Sequence, residues 1–153
     1  MQLDDYDVQI LRALQQDGRI SNQDLAEQIS LSPSPCLRRV RALEEAGLIV
    51  GYRAILDAKA IGLSLMALIL ISMDQHTPER LSHFEAQIIK CPEVLECLLI
   101  TGQEADDQLR VLVRDMDAYQ ELLLNRITRI KGVTGVRSSF VLRRAVDSTA
   151  LPL

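Results

Sequence analysis

Apolar residues in the first fifty positions recur at helical spacing. In LDDYDVQILRALQQDGRIS, Val8, Leu11 and Leu14, with Ile10 beside Leu14, form one stripe, the three-and-four repeat that lines a single helix face. Asp4 and Asp5 are placed to cap its start, and Gly18 lies just past its end. Ser21-Asn22-Gln23-Asp24 then has the S-x-x-D form of a capping box, and Leu25, Ala26 and Ile29 supply a short second helix with a buried face. After the turn Ser30-Leu31-Ser32, PSPCLRRVRALEEAG repeats helically again in spite of Pro33 and Pro35. Proline loses nothing in the first turn of a helix, where backbone N–H groups have no intrahelical acceptor. Either Ser34 caps with Pro35 as the first helical residue, or Ser32 caps with Pro33. A residue before proline avoids the helical region, so the preferred start is Ser34 and Pro35. The end is expected near Ala46, with Gly47 in the capping position.

From Leu48 the pattern changes. Leu48 to Leu56 reads as a strand, followed by a short connection around Asp57 to Gly62. A long apolar strand spans Leu63 to Met73. Thr77-Pro78-Glu79 opens a helix whose Leu81, Phe84, Ile88 and Ile89 face inward, up to Cys91-Pro92. A strand from Val94 to Thr101, the polar turn GQEADD and a strand from Gln108 to Arg114 come next. Asp117-Ala118-Tyr119-Gln120 opens another capped helix with an apolar face of Leu122, Leu123, Ile127 and Ile130. Gly132 ends it, and a last strand runs from about Gly135 to Arg144. The order β-α-β-β-α-β is ferredoxin-like, and the three short helices before it, with a tight turn between the second and third, match a helix-turn-helix. The expected class is α+β, with a helix-turn-helix domain over 1–50, a strand and linker over 51–62, and a ferredoxin-like domain over 63–153.

Two helices cover only one face of such a sheet. Yet the first sheet strand is apolar on both sides, Leu65, Ala67, Ile69 and Ile71 against Met66, Leu68 and Leu70. The second alternates Leu95, Cys97 and Leu99 against Val94, Leu98 and Ile100. Burying each large aliphatic side chain contributes roughly 1.5–3 kcal/mol, and a whole wet apolar face aggregates. A homodimer closed over that face is expected.

Hydrophobic residues make up 48% of the 153-residue chain, aromatics 3%, and Trp is absent, so the core is aliphatic. The net charge is −4 and the pI about 5.2, which excludes a uniformly basic nucleic-acid coat but not a local patch. Such a patch is present at Arg38, Arg39 and Arg41. At 100° per residue, Cys36, Leu37, Val40, Leu43 and Glu44 share one arc of the third helix. Arg38 points almost opposite, in line with Ser34 and Ala42, with Arg39 and Arg41 on either side. The small residues let the helix approach a groove closely, and an arginine fork bridges guanine acceptors or phosphate oxygens. Ser21, Asn22 and Gln23 are placed to touch phosphate from the second helix's N-terminus, while Asp24, Glu27, Glu44 and Glu45 are expected to face away. Double-stranded DNA is the partner this pattern selects, and a dimer suits two half-sites one turn apart.

Cys36, Cys91 and Cys97 are odd in number and scattered, and neither they nor His76 and His83 have zinc-ligand spacing. They read as small hydrophobes in a reducing cytosol. The N-terminal MQLDDYD lacks the basic start and apolar run of a signal peptide. The most apolar run, Ile61 to Met73, is 13 residues, short of the roughly 18 a membrane span needs. A soluble cytoplasmic protein, without membrane contact, is expected.

Three stretches carry a resemblance that covers essentially the whole chain: LSPSPCLRRVRALEEAGLI after a two-helix lead-in, PEVLECLLITG at the second sheet strand, and the C-terminal SSFVLRR and STALPL. Together they resemble the leucine-responsive regulatory protein/AsnC family of transcription regulators. The resemblance implies a winged or plain helix-turn-helix followed by a ferredoxin-like effector domain, dimers that commonly assemble into octamers and wrap or bend DNA, and an amino-acid effector bound between effector domains. It places the DNA-reading helix on Ser34 to Ala46 and the effector loop, usually T-G-x-x-D-Y, at Thr101 and Gly102. A Gly-rich turn offers N–H groups to a carboxylate, and an acidic side chain holds an ammonium. Here the loop reads TGQEADDQL, one residue longer and without the tyrosine, so either Asp106 or Asp107 takes the acidic position. Ser138 and Ser139 are expected to line the same interface. No cofactor, metal site or catalytic residue is expected: the sequence has no nucleophile–base pair. Two other functions fit the same architecture. One is a sirohaem-decarboxylase-like enzyme, which needs histidines around a tetrapyrrole where this chain has only His76 and an outward-facing His83. The other is an effector-independent architectural DNA-binding protein.

Overall fold

The computed structural model describes residues 2–102 and 104–153; Gln103, inside the polar turn expected after the second sheet strand, lies outside the described residues, as does Met1. The chain forms two compact units. Residues up to Ile55 group with Val146–Leu153, and Leu56–Ala145 form the other.

The first unit has α1 (Asp5–Gln16), α2 (Asn22–Gln28) and α3 (Pro33–Glu45) around Ile10, Ala13, Leu25, Ala26, Ile29, Cys36 and Leu43. Asp4 caps α1 reciprocally. Its carboxylate accepts the Asp7 N–H at 2.9 Å, and its own N–H donates to the Asp7 carboxylate at 3.2 Å, so two donors that lack helical partners are satisfied. The Ser21 hydroxyl accepts the Asp24 N–H at 3.1 Å to start α2. The preferred start of α3 is corrected: the cap is Ser32 and the first residue Pro33, two positions earlier. Both prolines then lie in the first turn, where neither missing N–H has a helical acceptor to lose, and that outweighs the bias against a helical Ser34. Gly47, at φ 71°, takes the left-handed position after α3, letting the Leu48 N–H reach the Leu43 carbonyl at 3.0 Å.

The expected strand over Leu48 to Leu56 is also corrected. No strand is formed there, and Val50 and Ile55 are 89% and 86% exposed. A strand is a paired structure, and among the described residues no segment pairs with this one. The last eight residues, expected in the ferredoxin-like domain, group instead with the helices. The Arg12 guanidinium donates twice to the Leu153 main-chain oxygen, at 2.9 and 2.6 Å, and the Gln15 amide bonds both the N–H and the carbonyl of Leu151.

The second unit holds β1 (Leu65–Met73), α4 (Pro78–Ile88), β2 (Val94–Leu99), β3 (Asp107–Val113), α5 (Met116–Asn125) and β4 (Val133–Phe140), with a 3₁₀ turn at Ile127–Arg129. The sheet order β2-β3-β1-β4 is antiparallel throughout, the expected ferredoxin-like arrangement. Thr77 caps α4 by accepting the Arg80 N–H. Asp115 caps α5 by accepting the Ala118 N–H at 2.8 Å, two residues before the expected Asp117. Ala67, Ile69, Ile71, Leu109, Val111 and Val113 turn toward Phe84, Ile88, Tyr119 and Leu122 of the helices.

The alternation expected in β2 is corrected. Its register against β3 shifts between Val94 and Glu96, so Val94 and Cys97 both pack on the core. The pairing leaves Met66, Leu68, Leu70, Leu98 and Leu112 on the face away from the helices, interspersed with Arg110, Glu96 and Arg137. Among the described residues no helix is long and apolar enough to cross a membrane.

Candidate DNA-reading face and effector loop

The three arginines of α3 do different things. Arg39 donates through Nη1 to Asp4 and to Asp7, each at 2.8 Å, with its guanidinium carbon 5.4 Å from the centre of the Tyr6 ring. Asp7 is only 3% exposed, so Arg39 supplies the cation that a buried carboxylate needs. The Asp4 carboxyl is held below the usual carboxylate range by the Asp7 N–H and, more weakly, by Arg39. Arg39, expected beside Arg38 in the cationic stripe, is thus engaged within the fold, fastening α3 to the start of α1. Arg38 and Arg41 have no ion pair or hydrogen bond among the described residues.

Arg38 and Arg41 line a shallow hollow of about 330 Å³ with Ser34, Leu37, Ala42 and Glu45. These positions repeat at three and four residues, which brings them to one side of the helix. The expected alignment of Ser34, Arg38 and Ala42 is present. Leu37, assigned to the buried arc, is instead 38% exposed, and Glu45 lies on the same side as the arginines rather than away from them. Glu44 accepts a hydrogen bond from the Tyr52 hydroxyl at 2.9 Å.

The phosphate-contact trio at the start of α2 is also divided. The Ser21 hydroxyl accepts the Asp24 N–H and donates to the Asp24 carboxylate. The Asn22 amide donates to the Pro33 carbonyl at 2.9 Å, tying α2 to the first turn of α3, and its Oδ1 is buried without a partner among the described residues. Gln23 is exposed. Both capping and corner-holding occupy polar side chains within the fold, an arrangement the S-x-x-D spacing signals for Ser21 but not for Asn22.

At the loop after β2, Thr101 and Gly102 are exposed, and Gly102 sits at φ 84°, a conformation that suits glycine. Asp106 anchors the far side. Its Oδ2 accepts the Met73 N–H at 2.7 Å, and its Oδ1 lies 2.6 Å from His76 Nε2. Its main chain bonds the Ile71 carbonyl and the Ile100 N–H, each at 2.8 Å. Asp107 turns the other way, to the helix side of the sheet, and is 1% exposed. The Cys97 thiol donates to its Oδ1 at 3.9 Å, while Oδ2 has no partner among the described residues. Burial, reinforced by the charges of Glu85 and Asp106, pushes the Asp107 carboxyl up to about 6. Burial likewise raises the Cys97 thiol to about 12, which keeps it a protonated donor.

Ser138 and Ser139, expected to line the interface between effector domains, have different surroundings within the chain. They are consecutive in β4, so their side chains leave opposite faces. Ser138 accepts from the Tyr119 hydroxyl on the helix side, where Tyr119 also meets Phe140 edge to face at 5.0 Å. Ser139 is exposed. β4 and β2 are the two opposite edges of the sheet, and the pairing brings neither serine to Thr101. Cys36 and Cys91 are buried and Cys97 is half-buried, all as free thiols, and among the described residues no group of three potential ligands could hold a metal.

Comparison with known proteins assigns both units. Residues 3–50 match the model of a winged helix-turn-helix DNA-binding domain, and residues 66–151 match the Lrp/AsnC ligand binding domain. The Bkd operon transcriptional regulator of Pseudomonas aeruginosa is 43% identical over 99% of each chain. A leucine-responsive regulatory protein of Rhizobium meliloti is 38% identical over 97% of this chain and 94% of its own. The structure of a Neisseria meningitidis transcriptional regulator in complex with L-Met superimposes with a TM-score of 0.94 at 39% identity, over 99% of this chain and 97% of that one. With a helix-turn-helix, a ferredoxin-like sheet and full-length likeness to such regulators, the chain belongs to the Lrp/AsnC family of DNA-binding transcription regulators.

Proposed function

We propose that this protein reads duplex DNA with Ser34, Arg38 and Arg41, as a dimer, and that an amino acid bound at the loop beginning with Thr101 and Gly102 modulates that binding. The observation that carries the first part is the division among the arginines: Arg39 is engaged within the fold, while Arg38 and Arg41 share an accessible face with small Ser34 and Ala42. Gln23 reaches phosphate; Ser21 and Asn22 set the angle between α2 and α3 and present the main chain at the α2 start. The protein acts in the cytoplasm as a regulator rather than as an enzyme; a tetrapyrrole enzyme is disfavoured because His76 is held by Asp106 and His83 is exposed on α4.

The amino-acid reading is supported by the relative named for leucine and by the neighbour complexed with L-Met. Asp106 takes the acidic position of the family loop. Asp107 then follows where the tyrosine usually stands. Thr101 and Gly102 offer the carboxylate-binding turn, and Ser139 completes the site from a second copy. In a thermal-unfolding screen of the twenty amino acids, at least one should raise Tm and change affinity for DNA. Asp106→Ala should lose that response while still binding DNA. A flat screen would leave the architectural, effector-independent reading in its place.

The dimer closes over the sheet face of Leu68, Leu70, Leu98 and Leu112 turned away from the helices, and dimers assemble further toward an octamer. Leu68→Asp places a charge in that apolar surface and should shift the mass in solution toward that of one chain, 17.1 kDa. Light scattering that reads the same assembly for both proteins would refute this interface.

A further inference from the structure

We infer that Leu37 is a specificity-determining residue that reads the C5-methyl group of a thymine beside a base pair read by Arg38 or Arg41. The inference rests on α3 being the DNA-reading helix. Leu37 stands one turn after Ser34 and one turn before Arg41, and it lines their hollow. It belongs neither to the core of the helical unit nor to the shell of half-buried residues packed on it, where its neighbour Val40 is found. Its side chain is 38% exposed, on the face that also carries Arg38 and Arg41, which have no ion pair or hydrogen bond among the described residues. An apolar side chain exposed among charged ones gains free energy on binding from an apolar partner.

In the major groove, three bases present only donors and acceptors to such a side chain, and thymine alone adds a methyl group. Arg38 and Arg41, adjacent on the same hollow, carry forks that fit the O6 and N7 acceptors of guanine. Together the three side chains select a step that joins a thymine to a guanine, whereas the arginines alone would accept any neighbour of that guanine. Glu45 at the far end of the hollow adds a carboxylate that repels phosphate, which keeps the arginine forks directed at base edges rather than at the backbone.

The test separates the methyl reading from DNA binding itself. Duplexes enriched from a random-sequence pool by the full-length protein are remade with each thymine replaced in turn by uracil, which removes only the methyl. At one position per half-site the substitution should weaken binding about three- to fourfold, since burying one methyl-sized group contributes about 0.8 kcal/mol. Leu37→Ala should bind the thymine and uracil duplexes alike and retain the salt dependence of the unaltered protein. Equal binding of every uracil duplex by the unaltered protein would overturn the inference, as would an unaltered thymine preference in Leu37→Ala. If the variant does not fold, the first comparison still decides. A pool that yields no enriched sequence would overturn the reading of α3 as a sequence-specific helix, and this inference with it.

Discussion

Arg38→Ala should weaken binding to a specific duplex by about 1–3 kcal/mol, roughly 5- to 150-fold, while binding to unrelated DNA changes little. Arg39→Ala should do the reverse. The neighbouring arginine lies between Asp4 and Asp7 at 2.8 Å from each, and Asp7 is buried. Removing the cation leaves that carboxylate with its desolvation uncompensated, and hydrogen bonds to charged groups contribute about 1.5–3 kcal/mol. The expected result is a helical unit less stable by about 2 kcal/mol, with specific contacts retained wherever the protein remains folded. Thermal unfolding and binding measured on the same two preparations decide it. If Arg38→Ala instead weakens all duplexes equally and lowers the salt slope by about 1, Arg38 contacts a phosphate. If Arg39→Ala loses specific binding without any loss of stability, the division among the arginines is wrong.

Asp107→Asn should stabilise the protein at pH 7.5 and have little effect at pH 4.5. Asp107 is 1% exposed, with one oxygen unpartnered, and Glu85 of α4, Asp106 beside it and Cys97 of β2 are the titratable groups acting on it. Its carboxyl is raised from 3.8 to about 6, so the folded chain binds this proton more tightly than the unfolded chain. Stability from this group is fully present below about pH 4 and is lost as pH rises through about 6. Holding the carboxylate ionised at neutral pH costs the fold roughly 3 kcal/mol, an order-of-magnitude figure. Asn has the shape of the neutral acid and does not ionise, so the variant should show a flatter profile between pH 4.5 and 7.5. Parallel unfolding profiles for the two proteins would show that Asp107 carries no such charge. Asp4, whose carboxyl is lowered instead, contributes stability above its unfolded value that is lost on acidification, outside this window.

The buried acid also bears on the loop proposed to hold an effector. Relative to the family's T-G-x-x-D-Y, Asp107 brings a carboxylate into the apolar layer under α4, while Asp106 bonds Met73 and His76. Two adjacent aspartates that look interchangeable in TGQEADDQL thus have opposite environments. One is a surface anchor between two loops. The other is a buried acid met only by the Cys97 thiol among the described residues.

Periodicity and end signals determined most of the architecture. The stripes of Val8, Leu11 and Leu14 and of Leu25, Ala26 and Ile29, with the Asp4 and Ser21 caps, located α1 and α2, because helix faces and caps are properties of residues three and four apart. The two-sided apolar β1 and the βαββαβ order likewise followed from local patterns, and they located the uncovered sheet face. The remaining features depend on residues far apart in the chain. Arg39 could be seen to leave the cationic stripe only once Asp4 and Asp7 were beside it, 35 and 32 residues away. Leu48 to Leu56 has the composition of a strand but no pairing partner among the described residues, and residues 146–153 return to α1 through Arg12 and Gln15. The side chains of Asp106 and Asp107, and of Ser138 and Ser139, part because consecutive residues of a strand face opposite sides. Which side is buried depends on what packs there. A charge's role is set by its partner and its desolvation, and both are properties of the folded arrangement rather than of the sequence beside it.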